Sequence, residues 1–209
     1  MESIGAGWFI SALAFAVSMS ATPGPNNTML TASGATWGLR RTVPHMLGVS
    51  FGFPAMLLAL ALGAGELLRA HLFALAVLRW GGAAYLLWLA WRIATARPTA
   101  TDNGEPVEAG GRPFSFLQAV LFQWVNPKAW VIGVAAVLTQ TTASGRAEIV
   151  EAVLLALMFL AVTLMTSVFW ILVGVGAARV LRTPRALHGF NIAMAALLVA
   201  SLLPLLWGE

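Results

Sequence analysis

Apolar residues along this chain gather into six runs: residues 7–38, 43–64, 72–91, 114–139, 149–176 and 187–206. None of these runs alternates apolar and polar positions as a barrel strand does. An α-helix needs about 20 apolar residues to cross the hydrocarbon core of a bilayer. The pattern therefore predicts an all-α, polytopic membrane protein of about six transmembrane helices. The one long polar stretch, residues 94–113, holds Pro98, Asp102, Gly104, Glu105, Pro106 and Glu108. It reads as a linker inside a single transporter domain of 209 residues, between a first three-helix half (1–93) and a second (114–209).

Two of the runs carry a break. At helical rise, residues 7–38 would extend roughly 48 Å, well beyond a core of about 30 Å. The sequence Thr22-Pro23-Gly24-Pro25-Asn26-Asn27 interrupts them. Two prolines remove two backbone donors and clash with the preceding turn. The break begins about 22 Å from Gly7, inside the bilayer. Irregular backbone at that depth is tolerated only in a protein interior or beside a wet cavity. A new half-helix would start after it, with Asn26, Asn27 or Thr28 as N-cap, and its free N–H groups would attract a carboxylate. A kink made for packing is the alternative, but a single proline would suit it, and the Pro-Gly-Pro-Asn-Asn cluster suits a built cavity better.

The fourth run is interrupted by Gln123-Trp124-Val125-Asn126-Pro127-Lys128, roughly 18 Å into its helix. Lys128 is the chain's only lysine, and a charge at that depth costs about 2.5–3.5 kcal/mol on insertion scales. The alternative is a lysine that snorkels to the interface. Each break lies in the first span of its half, and a three-span half ends on the side opposite its start. The second half is therefore inverted relative to the first, giving two inverted three-helix repeats with the first helix of each broken. Paired broken helices of this kind mark secondary transporters.

Composition narrows the reading. The chain is 59% hydrophobic and 10% charged, against about 25% charged in a soluble domain, so its main partner is the lipid bilayer. It lacks cysteine, which excludes disulfides and thiol chemistry. The basic residues lie singly between apolar runs, so a nucleic-acid partner is not expected. With six spans, one side receives Arg40, Arg41, Arg92, Arg97, Arg112, Arg179, Arg182 and Arg185, and the other Arg69, Arg79 and Arg146. The excess of basic residues belongs in the cytoplasm, which places both termini outside. The acidic start, Met1-Glu2-Ser3, does not suit a cleaved signal peptide, so the first run reads as a retained span.

Other positions carry weaker signals. Gly48 and Gly52 form a small-xxx-small face for helix packing, which equally allows a homodimer or an assembly role in a larger membrane complex. His45 is expected at the surface near a span end. Thr163, Thr166, Ser167 and Asn191 suit either a polar cavity or bonds to their own backbone. No Asp or Glu is expected deep in a span. With no nucleophile–base pair and no metal cluster, an enzyme is not expected, nor any metal or cofactor.

The stretch Ala21-Thr22-Pro23-Gly24-Pro25-Asn26-Asn27, followed by Gly34, Gly38, Gly48 and Gly52, resembles the N-terminal signature of the lysine exporter (LysE/RhtB) family. Gly81 through Leu86 with Leu89 resembles its third span, and Phe116 through Asn126-Pro127-Lys128-Ala129 its fourth. The likeness covers nearly the whole chain. Together with Trp88 through Thr95, the Pro-Gly-Pro-Asn-Asn motif is most similar to the cysteine/O-acetylserine exporter branch. The resemblance implies a multi-pass carrier in a bacterial inner membrane that exports small amino acids, with protons as coupling ion. Phe53-Pro54 departs from the more polar family pattern. The expected substrate-binding set is Pro23, Gly24, Pro25, Asn26, Asn27, Gln123, Asn126, Pro127 and Lys128, with Trp124 and Trp130 as walls.

Overall fold

The structure is a computed structural model and describes residues 5–64, 71–95, 112–141, 146–181 and 183–202. Most of the linker (96–111), Arg69, Arg97, Arg182 and the last seven residues lie outside the described residues. Every regular element among the described residues is helical: α1 (Ala6–Ala21), α2 (Pro25–Ala59) with a π-helical turn (Leu60–Ala64), α3 (Leu72–Ala94), α4 (Phe116–Val125), α5 (Pro127–Gln140), α6 (Arg146–Val180) and α7 (Pro184–Ala200).

Helix α2 leaves helical geometry at Gly38 (φ 75°, ψ 175°), a backbone conformation that suits glycine. Residues 33 and 42 would stand about 13 Å apart on a straight helix, yet Ser33 Oγ and Thr42 Oγ1 lie 3.0 Å apart. Two arms, residues 25–37 and 39–59, therefore fold back on each other. A connecting loop was expected between residues 38 and 43; the reversal instead takes one glycine, because its left-handed φ turns the chain without a loop. Among the described residues, two stretches, Pro25–Ala64 and Ala147–Val180, are long and apolar enough to cross a membrane, although the reversal at Gly38 means that the first is not one continuous helix. A third span results if α4 and α5, bent by 71°, count as one. Helices α1 and α7 are apolar but shorter.

Two apolar clusters hold the helices together. One joins α1, the second arm of α2, α5 and α6 through Ala16, Phe53, Met56, Ile132, Leu155 and Phe159. The other joins α2, α3, α4 and α7 through Met29, Val49, Leu86, Phe122 and Leu198. Large apolar side chains also face outward, including Ile10, Phe73, Val131, Leu138 and Met165, each at least 69% exposed. Such residues are costly in water and suited to lipid.

Glycines set the closest crossings. A Cβ on Gly174 would meet the Thr31 carbonyl, and one on Gly34 would meet that of Ile171. The first arm of α2 thus lies directly on α6, where Thr31 Oγ1 also donates to the Trp170 carbonyl at 3.2 Å. Gly48 and Gly52 face α4 within the same chain: a Cβ on Gly48 would meet the Phe116 carbonyl, and one on Gly52 would lie 2.8 Å from Val120 Cα.

Two polar residues sit deeper than expected. His45 is 2% exposed and Glu151 is fully buried. Glu151 is in the second turn of α6, on the face that continues through Leu155 and Phe159 into the core. The face along which α6 docks carries it inside.

Candidate functional site

The two breaks meet. Helix α1 ends at Ala21, and Thr22 turns back on it: its N–H and Oγ1 both donate to the Ser18 carbonyl, and Oγ1 also donates to that of Met19. Asn27 Nδ2 donates to the carbonyls of Ser20 and Thr22 at 2.8 and 2.9 Å. Asn27 therefore satisfies the C-terminal end of α1 rather than capping α2. The expectation of an asparagine or threonine N-cap is corrected: Gly24 is the N-cap, with no side-chain cap, and Pro25 occupies the first turn. Proline fits there because its missing N–H would have had no helical partner.

At the second break, Asn126 leaves helical geometry (φ −85°, ψ 109°), and its Oδ1 accepts from Lys128 N at 3.2 Å. Asparagine before proline is an N-cap followed by a first-turn residue. That signal is present in the sequence alongside Asn126's place in the expected substrate-binding set. Helix α4 starts on a capping box formed by Ser115 and Gln118.

Each break is then completed by the other half of the chain. Lys128 Nζ, at the start of α5, donates to the Thr22 carbonyl (2.7 Å), Thr22 Oγ1 (3.0 Å) and the Pro23 carbonyl (3.2 Å). Its ammonium sits at the negative end of the α1 dipole. Asn26, at the start of α2, exchanges two hydrogen bonds with Gln123 near the end of α4, at 2.9 and 3.3 Å. Gln123 also donates to the Ala119 carbonyl and is fully buried. Gly24 makes room for this arrangement, since a Cβ there would lie 2.6 Å from Lys128 Cδ.

A cavity of about 50 Å³ lies at the junction, with Asn26, Asn27, Asn126, Lys128 and Thr163 among its lining residues. That is room for a few waters, not for an amino acid. Its aromatic wall is Phe53 and Phe159, with ring centroids 5.0 Å apart. Trp124 and Trp130, expected as walls, are not among the lining residues. They pair with each other, Trp130 Nε1 donating to the Trp124 carbonyl at 2.8 Å. Phe53, noted in the sequence only as a departure from pattern, and Phe159 were missed as site residues.

Of the predicted set, Gly24, Asn26, Asn27, Asn126 and Lys128 line the cavity. Pro23 and Gln123 contribute through hydrogen bonds to Lys128 and Asn26. Pro25 and Pro127 open the half-helices α2 and α5. Thr166, by contrast, bonds to its own helix at Val162 and Thr163.

A family profile described as LysE type translocator matches residues 17–205. A cysteine/O-acetylserine efflux protein of Escherichia coli (strain K12) is 37% identical over 118 residues, 56% of this chain and 57% of that protein. The protein of the same name from Salmonella typhimurium is 36% identical over the same length and the same shares of each chain. The matched stretch thus spans little more than half the length of these curated relatives. No solved structure matches the chain.

Proposed function

The chain belongs to the LysE type translocator family, and from that premise we propose that it is a secondary transporter exporting small amino acids across a bacterial inner membrane. Cysteine or O-acetylserine is the first cargo class to test, since the similar proteins are cysteine/O-acetylserine efflux proteins. The observation that carries this reading is the reciprocal junction of the two broken helices. The start of α2 reaches the end of α4 through Asn26 and Gln123, and the start of α5 reaches the end of α1 through Lys128 and Thr22. Such an exchange fits an inverted repeat of two three-span halves, six spans in all, related by a pseudo-two-fold axis. A helix-packing kink has no use for it.

In this reading the uncapped start of α2 takes the substrate carboxylate. Lys128 leaves the α1 carbonyls to assist, while Asn26, Asn126 and Gln123 offer neutral hydrogen bonds. Phe53 and Phe159 supply the apolar wall. The 50 Å³ cavity is then an occluded state that opens when the halves rock apart. Protons are the proposed coupling ion. A solely structural role in a larger complex explains neither the junction nor the family match.

The test is uptake or efflux of labelled cysteine, O-acetylserine and a panel of other amino acids in proteoliposomes, with and without an imposed pH gradient. Saturable flux by the purified protein is expected for at least one small amino acid, and flux for none would sink the reading. Topology makes a separate prediction. Reporter fusions at Arg97 should report cytoplasm and those at Glu209 the outside, because the arginine-rich side faces inward. The reverse signals would put both termini in the cytoplasm and overturn this topology.

A further inference from the structure

The molecule has a second, larger cavity of about 260 Å³ that the junction does not use. It approaches the lower end of small-molecule pockets, roughly 300 Å³. Its lining includes Arg92, Arg112, His45, Trp37 and Asn191, and no carboxylate is among the lining residues. Arg92 is held by its side chain over the Trp88 ring, 5.1 Å from the centroid. Among the described residues these two guanidinium groups meet no carboxylate in the cavity, which favours an anion there, and a guanidinium matches a carboxylate in both shape and charge.

Two further lining groups point to a ligand. His45 is 2% exposed, and among the described residues neither ring nitrogen has a hydrogen-bond partner. The buried Nε1 of Trp37 has none either. Buried polar groups left in this state are rare and costly. A small molecule with both acceptor and donor atoms would satisfy them.

The place of the cavity in the fold suggests its use. The first arm of α2 carries Asn26 and Asn27 at the junction and Ser33, Thr36 and Trp37 at the larger cavity. Asn27 and Thr36 stand about 13 Å apart along one helix. Between them Thr28 is a buried polar residue. Arg92 and Arg112 belong to the side that the basic-residue count assigns to the cytoplasm, where an exporter must collect its cargo.

We propose that the cavity lined by Arg92, Arg112, His45 and Trp37 is a loading site, distinct from the junction, that binds the carboxylate of a small amino acid before it moves along the first arm of α2. This rests on the export reading above.

The experiment is equilibrium binding of labelled O-acetylserine and cysteine to the full chain in nanodiscs, made with and without phosphatidylglycerol. Thermal unfolding checks each variant. Wild type is expected to bind with two classes of site. Arg92→Gln/Arg112→Gln should weaken one class about tenfold or more, the scale of lost charge-assisted hydrogen bonds. Ala32→Leu removes no polar group and fills the cavity that Ala32 lines, so it should abolish the same class. Lys128→Met should spare that class and affect the other. Wild-type binding in both cavity variants overturns the proposal. So does a cavity that phosphatidylglycerol occupies and amino acids do not displace, which would make it a lipid headgroup site. Failure of the export reading would look different: proteoliposome flux would be absent whatever the binding stoichiometry.

Discussion

Lys128→Met is expected to cut the initial export rate about 10- to 100-fold while leaving thermal stability within about 1 kcal/mol of wild type. The rate estimate takes one charge-assisted hydrogen bond to the carboxylate as worth about 1.5–3 kcal/mol. The stability estimate sets two effects against each other. Removing the ammonium relieves an insertion cost of about 2.5–3.5 kcal/mol. It also forfeits the contacts to Thr22 and Pro23 at the end of α1. The Thr22 carbonyl keeps Asn27 as a partner, which limits that loss. Lys128→Arg should restore little flux. The lysine stem already lies where a Cβ on Gly24 would be 2.6 Å away, and a guanidinium is larger and holds its proton. Flux and melting temperature measured together decide the matter. Wild-type flux in Lys128→Met would remove the lysine from the transport cycle and leave it a structural clasp.

A comparable loss is expected when Pro23, Gly24 and Pro25 are all replaced by alanine. Each proline disfavours a helix interior by about 3 kcal/mol relative to alanine, so their removal lets α1 run on into α2. A continuous helix would take the Thr22 and Pro23 carbonyls for its own i+4 bonds. Those are the carbonyls Lys128 uses, and Asn27 would be rotated away from Ser20 and Thr22. Export should fall to background while the protein still inserts and is recovered at near wild-type yield. Gly24→Ala alone is the graded control: the backbone there is extended and accepts alanine, so only the Lys128 stem is displaced and a partial loss of flux is expected. Normal transport by the triple variant would reduce the first break to a kink.

The breaks could be read from the sequence because they are made of residues whose backbone chemistry acts locally. Proline removes a donor wherever it stands, and Asn126 before Pro127 caps whatever helix follows. The apolar runs were equally legible, down to the ends of α3, α4 and α5. What could not be read was which polar group faces which. Asn27 was expected to serve the helix it begins, but it serves the one before, because the chain turns back tightly enough to bring its amide to Ser20. His45 looked peripheral by its distance from the centre of its run. Burial depends on the face a helix presents, and that is fixed only when the helix docks. The larger cavity draws on both arms of α2, on α3, on α7 and on the strand of chain before α4. No local motif announces such a site.

The junction also dictates an order of events during synthesis. Its hydrogen bonds join residues 97 and 106 positions apart, so a newly made first half must enter the membrane with its break uncovered. The Thr22 and Pro23 carbonyls lack the lysine, and Asn26 lacks the glutamine, until α4 and the start of α5 arrive. In that interval the exposed polar backbone belongs to a chain already surrounded by lipid, where unsatisfied groups are penalised most. The second half therefore completes the first, and fragments that end before Lys128 are expected to be less stable in the membrane than the full chain.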